Sequence, residues 1–278
     1  MKVSRTIVLI LYLSLLSVSV SSQQNISYDE RCTLPYDGMI IDEDTVFCKG
    51  DYYLPSGITV TNNARLNCNH AHLKGNFSSP MISLHQVTGA GIKNCFIKQS
   101  KGGIEIQNSQ NNEILSNTIL DTTKDGIRLT SSDQNTLSGN IVAHSSSYGI
   151  FLYDSRKNVI SKNKIFDSPE GIRLGTSYDN RIAKNNINNT KYGLLLSFSG
   201  SNHVSGNVLH NNQYGAVLVF SSSFNLIAKN VIMSNLYSGI ELIGFDHLVR
   251  PVNNTIHHNL IDGNALGINV LSSFTENN

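Results

Sequence analysis

Residues 126–148 read GIRLTSSDQNTLSGNIVAHSSSY, and the next two stretches repeat their plan: 149–170 is GIFLYDSRKNVISKNKIFDSPE and 171–192 is GIRLGTSYDNRIAKNNINNTKY. Each opens on glycine and an apolar–x–apolar alternation, then carries Asn-x-apolar-x-x-Asn-x-apolar. Outward from this segment, units begin at Gly103, Gly126, Gly149, Gly171, Gly193, Gly215, Gly239 and Gly267, spaced by 22 to 24 residues except for the last, longer step of 28. The first asparagine of each pair is Asn112, Asn135, Asn158, Asn180, Asn202, Asn225 or Asn254, and the second stands five residues later, from Asn117 to Asn259. Alternation over two to four residues is strand-like, and no unit carries the i, i+3, i+4, i+7 pattern of a helix. The Ser, Asp, Asn and Gly in between are turn formers. Three short strands and three turns per unit describe one coil of a parallel β-solenoid.

Coils stack at about 4.8 Å, so equivalent residues form columns. Stacked asparagines at a bend tolerate left-handed backbone and bond the amides above and below. The glycine column reads as a tight corner that needs no Cβ. Residues 57–102 read as two less regular coils, and 23–56 as an N-terminal cap over the open end, followed by the helix proper over 57–278. The chain ends soon after its last glycine unit, which is short for a second cap.

Composition agrees. The 278 residues include 34 Asn and 21 Gly but only 15% charged residues, with a formal net charge of +1. Such a balance argues against a nucleic-acid binder working by counterion release. Lys2 and Arg5 precede an apolar run, Ile7 to Leu16, and small residues up to Ser22, the layout of a secretory signal peptide over 1–22;. The run is too short for a comfortable membrane span, and its removal leaves 19 cations against 20 acids, a net charge of −1;. Cys32, Cys48, Cys68 and Cys95 suggest two disulfides, with Cys32–Cys48 and Cys68–Cys95 favoured by proximity in sequence. Sequons stand at Asn25, Asn76, Asn188 and Asn253.

The G-I-x-L…N-x-I-x-x-N-x-I units over roughly 103–271, with LNCNHAHLKG at 66–75 as an opening coil, resemble the right-handed parallel β-helix family known by its PbH1 repeats, which includes NosD-like periplasmic proteins and carbohydrate-acting members of the pectin lyase-like fold. The fold class expected is therefore all-β: a single-stranded right-handed parallel β-helix of about nine to ten coils. The resemblance is specific for fold and weak for activity, because this architecture hosts lyases, hydrolases, epimerases, adhesins and scaffolds. Its alginate-epimerase members carry an Asp-Pro-His-Asp run that this sequence lacks.

Side chains at the second position after each glycine are expected to point outward: Glu105, Arg128, Phe151, Arg173, Leu195, Val217, Glu241 and Asn269. The residue before each glycine adds Asp125, Tyr148, Glu170 and Tyr192, and the position four past the second asparagine adds Asp121, His144 and Asp167. Together with Tyr153 these gather along one edge of the coils from 121 to 192. Rings stack on apolar sugar faces, Arg forks bind carboxylates, and acids with His move protons. Asp125, His144, Asp167 and Glu170 are accordingly the catalytic candidates, with Arg128, Tyr148, Phe151, Tyr153, Arg173 and Tyr192 as the polysaccharide-binding candidates. A second candidate is the long unit's loop, with Asp246, His247 and Arg250. Cys68, His70 and His72 would face one side of a strand, which permits a metal site, but Cys68 reads as disulfide-bonded or buried and His257 and His258 point to opposite faces, so no metal and no cofactor is expected.

The reading is an exported protein that binds or acts on polysaccharide, acidic polymers included. If an enzyme, it is hydrolase- or lyase/epimerase-like. The competing class is a noncatalytic NosD-like surface or scaffold protein. The expected partner is a glycan, with no nucleic acid and no membrane span after signal cleavage.

Overall fold

The computed structural model describes residues 32–244 and 251–271. The expected signal peptide, and Asp246, His247 and Arg250 of the long unit, lie outside the described residues.

The described chain is all β. Three parallel sheets hold eleven, ten and ten strands, and every strand between the ends of a sheet pairs with the strands three before and three after it. Sheet 1 runs from Ile40–Ile41 to Leu266–Leu271, sheet 2 from Thr45–Val46 to Thr255–His257, and sheet 3 from Asp51–Tyr53 to Leu260–Asp262. One strand from each sheet makes one coil of a β-solenoid. The strands are short because each side of the coil buries only one or two residues. Inward positions stack in register, as in Ile104, Ile127, Ile150, Ile172 and Leu194, all fully buried. Their burial supplies the apolar core that the alternation requires.

The corners satisfy the backbone that the turns leave unpaired. Asn135 donates its backbone N–H and its Nδ2 to Asn158 Oδ1, at 2.8 and 3.1 Å, and Nδ2 also reaches Ser109 O at 3.2 Å. The pattern repeats along both asparagine columns. Two further ladders went unread in the sequence. Ser109, Ser132, Ser155, Ser177, Ser199 and Ser222 stack at the turn after sheet 1, each hydroxyl from Ser132 onward accepting the N–H of the serine one coil earlier, as in Ser132 N to Ser155 Oγ at 3.1 Å, while that of Ser109 accepts Val87 N–H. Asn212, Asn235 and Asn264 form a third asparagine column before sheet 1. The glycine column is a close approach rather than a left-handed turn: a Cβ on Gly149 would lie 2.7 Å from Gly171 O and 2.4 Å from Ile165 Cγ2.

Both favoured disulfides are present, Cys32–Cys48 and Cys68–Cys95. The sheets already begin at Ile40, inside the stretch assigned to the cap. Its strands Ile40–Ile41, Thr45–Val46 and Asp51–Tyr53 pair with the coil above, but at two or three residues each they are too short to show alternation. At the far end Ile268 and Val270, in register with inward Ile240 and Leu242, are 52% and 70% exposed.

One column needs correction. A register shift after Tyr192 inserts one residue into the strand Tyr214–Phe220, so Val217 aligns with inward Leu194 and Leu218 takes the place beside Leu195 and Glu241. The single extra residue is a β-bulge, which shifts the register of the rest of that strand by one;.

Candidate functional site

The outer face of sheet 1 carries most of the expected site. The strands Ile127–Thr130, Tyr148–Tyr153, Glu170–Gly175 and Tyr192–Ser197 lie side by side, and their register puts Arg128, Phe151, Arg173 and Leu195 in one outward column. Tyr148, Glu170 and Tyr192 form the column three residues upstream.

Side chains join the two columns into a continuous strip. Arg128 Nη1 lies 2.9 Å from Asp125 Oδ2, and its Nε donates to Thr130 Oγ1 at 3.3 Å. The same guanidinium sits over the Phe151 ring, 4.8 Å from the centroid. Phe151 packs against Tyr148 at 4.6 Å and Tyr153 at 6.3 Å between ring centres. Arg173 lies over Tyr148 at 5.4 Å, and its Nη1 donates to Glu170 Oε1 at 3.1 Å and to Tyr148 Oη at 3.4 Å. Tyr192 follows, with Lys191 Nζ 5.4 Å from its ring centre. Lys191 was not foreseen, nor was Gly175, which faces Tyr153 across the strands and leaves its ring room: a Cβ there would meet Tyr153 Cδ2 at 3.3 Å.

The electrostatics follow from burial. The Asp125 side chain is 5% exposed and that of Glu170 14%. Desolvation pushes both carboxyls above their ordinary range, against the pull of Arg128 and Arg173; the charge of Asp125 adds to the rise at Glu170;. Each cation is thus matched to an acid beneath it. What the strip offers to solvent is the rings of Tyr148, Tyr153 and Tyr192 and the free edges of two already neutralised guanidiniums; Phe151, expected as a binding ring, is only 8% exposed, buried among its neighbours with Arg128 over its face.

His144 and Asp167 lie elsewhere. They occupy the corner between sheets 3 and 1 with Asp121, all three on left-handed backbone with φ of 52–56°. His144 bridges the two acids, Nδ1 to Asp121 Oδ1 at 3.2 Å and Nε2 to Asp167 Oδ2 at 3.6 Å, and all three are exposed. No hydrogen bond, ion pair or ring contact among the described residues links this cluster to Asp125 or Glu170. The structure therefore brings the binding candidates together with Asp125 and Glu170, and holds the His144 cluster apart.

The model of the family described as "Periplasmic copper-binding protein (NosD)" matches residues 38–235 and 165–278. The chain belongs to the NosD family. Its periplasmic description, with two disulfides, places this NosD-family chain outside the cytoplasm;. Among solved structures the chain is similar to the periplasmic alginate epimerase AlgG, at 15% identity over 84% of this chain and 76% of that one, with a TM-score of 0.56. It is also similar to the A-module of the Azotobacter vinelandii mannuronan C-5 epimerase AlgE6 (12% identity, 83% and 90% covered, TM-score 0.55) and to the Dettilon tailspike protein (14%, 85% and 60%, 0.57). At these identities the likeness shows the parallel β-helix fold. No curated protein sequence matches the chain.

Copper does not fit what the described residues offer. No three His, Cys, Asp or Glu side chains among them converge to hold a metal ion, and all four cysteines are in disulfides. No helix among the described residues is long and apolar enough to cross a membrane.

Proposed function

We propose that this NosD-family protein binds a polysaccharide along the outer face of sheet 1, with Tyr148, Tyr153 and Tyr192 as stacking rings supported by the buried Phe151, and Arg128 and Arg173 as hydrogen-bond donors to sugar oxygens. One observation carries the reading: rings and guanidiniums interleave without a break over successive coils, the pattern a chain of repeating sugars needs. Aromatic faces take the apolar faces of sugars, and guanidinium edges take hydroxyls or carboxylates. The structural neighbours named for alginate and mannuronan epimerisation support a glycan partner.

Asp125, Glu170, His144 and Asp167 remain the candidates for turnover, and the His144 cluster is the better exposed of the two groups. A glycan array with the purified mature chain, joined to a product assay on uronate polymers, tests both parts. Loss of binding in Tyr148→Ala and Tyr192→Ala supports the strip. Loss of turnover with binding retained in Asp125→Asn or His144→Ala supports catalysis. No binding to any glycan leaves the scaffold reading in its place.

A further inference from the structure

Sheet 2 has a different electrostatic design from sheet 1. Its strands Val159–Ser161, Arg181–Ala183, His203–Ser205, Leu226–Ala228 and Thr255–His257 stack in register. The residue after each strand stands on the corner toward sheet 3, where Lys162, Lys184 and Lys229 all adopt left-handed backbone. The backbone bonds place them in one column: Lys162 N donates to Ala183 O, Lys184 N to Ser205 O, and Lys229 N to His257 O. This corner does not demand lysine, since Ser116, Gly139 and Gly206 occupy it in other coils.

The three lysines and Arg181 are exposed, and no carboxylate among the described residues pairs with them. These strands and their corner residues hold no Asp or Glu. The nearest acid along the chain is Asp179, exposed at the opposite corner, and Asp262 lies on sheet 3 in the last coil. Burial, Arg181 and His257 together lower the pKa of His203, as expected within a positive field;. Between the lysine column and the column of Val159, Arg181, His203 and Leu226 runs a line of small residues, Ser161, Ala183, Ser205 and Ala228. The result is a shallow trough parallel to the solenoid axis with one wall of unpaired cations.

We propose that this trough on sheet 2, walled by Lys162, Lys184 and Lys229 with Arg181 opposite, binds a linear polyanionic polysaccharide lying along the solenoid axis. A single row of cations at multiples of the coil rise, about 4.8 Å, suits a chain of repeating charges rather than the two-dimensional field of a bilayer. The face carries no Phe, Tyr or Trp on which bases could stack, which disfavours a single-stranded nucleic acid;. An acidic polymer meets guanidiniums already neutralised on sheet 1 and free cations here. The site is separate from the sheet 1 strip and does not depend on it.

Titration of the full mature chain with polygalacturonate, at low and high salt, tests the assignment. Binding at low salt should fade as salt screens it, and K162Q/K184Q/K229Q should weaken it about tenfold or more. The strip on sheet 1 can take the same polymer, so failure of this site is separated from failure of the strip by labelling of the lysines themselves. Lysine acetylation footprinting on the unsubstituted chain gives a readout independent of folding in the variant: the polymer should protect Lys162, Lys184 and Lys229. Undiminished binding by the folded triple variant, equal labelling with and without polymer, or no binding of polyuronate overturns the proposal. So does capture of phosphatidylserine vesicles or a single-stranded polynucleotide through the same lysines without capture of polyuronate.

Discussion

Cys95 stands where the next member of the second asparagine ladder would be: its backbone N–H donates to Asn117 Oδ1 at 3.0 Å, and its sulfur is bonded to Cys68. The noncovalent ladder ends at Asn117, and the disulfide continues the link between coils toward the N-terminus. Closing a loop across 27 residues is worth about 3–4 kcal/mol through the unfolded chain;. Cys68→Ser with Cys95→Ser should lower stability by that order. Hydrogen exchange should rise in the coils before Asn117 and change little beyond Gly126, because neighbouring coils are the unit of cooperativity. A uniform rise along the whole chain would show that the coils do not open separately.

The asparagine ladders should lose most when broken in the middle. Asn158→Ala removes the acceptor of the buried Asn135 N–H and the donor to Ser132 O, which is itself within the stack. Each orphaned group costs about 1–3 kcal/mol. Asn254→Ala breaks the same column near its end, where Asn254 is only half-buried. Chemical denaturation should rank the loss for Asn158→Ala clearly above that for Asn254→Ala. Equal losses would mean that water replaces the ladder at either place.

The fold was legible because glycine and asparagine recur where the backbone leaves little choice, at a close approach and at a corner that must satisfy stacked amides. Serine gave no such signal. The Ser132 and Ser155 ladder is as regular as the asparagine ones, but serine is too common in turns to mark a column. The slip at Val217 was hidden because GAVL preserves the alternation that a one-residue bulge overturns. In the strip, Asp125–Arg128 and Glu170–Arg173 share the spacing acid-Gly-Ile-Arg, yet residues three apart on a strand point to opposite faces. The acids nevertheless reach their arginines, at 2.9 and 3.1 Å, so the two neutral pairs became visible in three dimensions alone.

Gly149→Ala should unfold more than its size suggests. The added methyl would press on Gly171 O, which is backbone, and on the buried Ile165, so neither neighbour can give way cheaply. A loss of about 3 kcal/mol in thermal or urea unfolding is expected. Gly91→Ala is the control: its Cβ would meet Arg65 Cγ at an ordinary 3.5 Å, and the change should stay within about 0.5 kcal/mol;. A comparable loss at both positions would place the effect in strand propensity rather than in the close approach.

Asp125 makes stability depend on pH with a sign opposite to that of an ordinary salt-bridged acid. Burial holds its carboxyl above the ordinary value of 3.8, so between that value and the raised one the folded chain keeps a proton that the unfolded chain has released. Stability therefore falls as pH rises through this window and is flat above it. Glu170 adds a contribution of the same sign, starting from its ordinary value of 4.5. Asp125→Asn removes the titration while leaving Arg128 without its partner at every pH, a constant offset. The Tm of the wild type minus that of Asp125→Asn should be largest at the acid end and shrink as pH rises, in melts stepped from about pH 3 to 7. A difference that grows with pH would show that the attraction of Arg128, 2.9 Å away, outweighs the desolvation of the carboxylate.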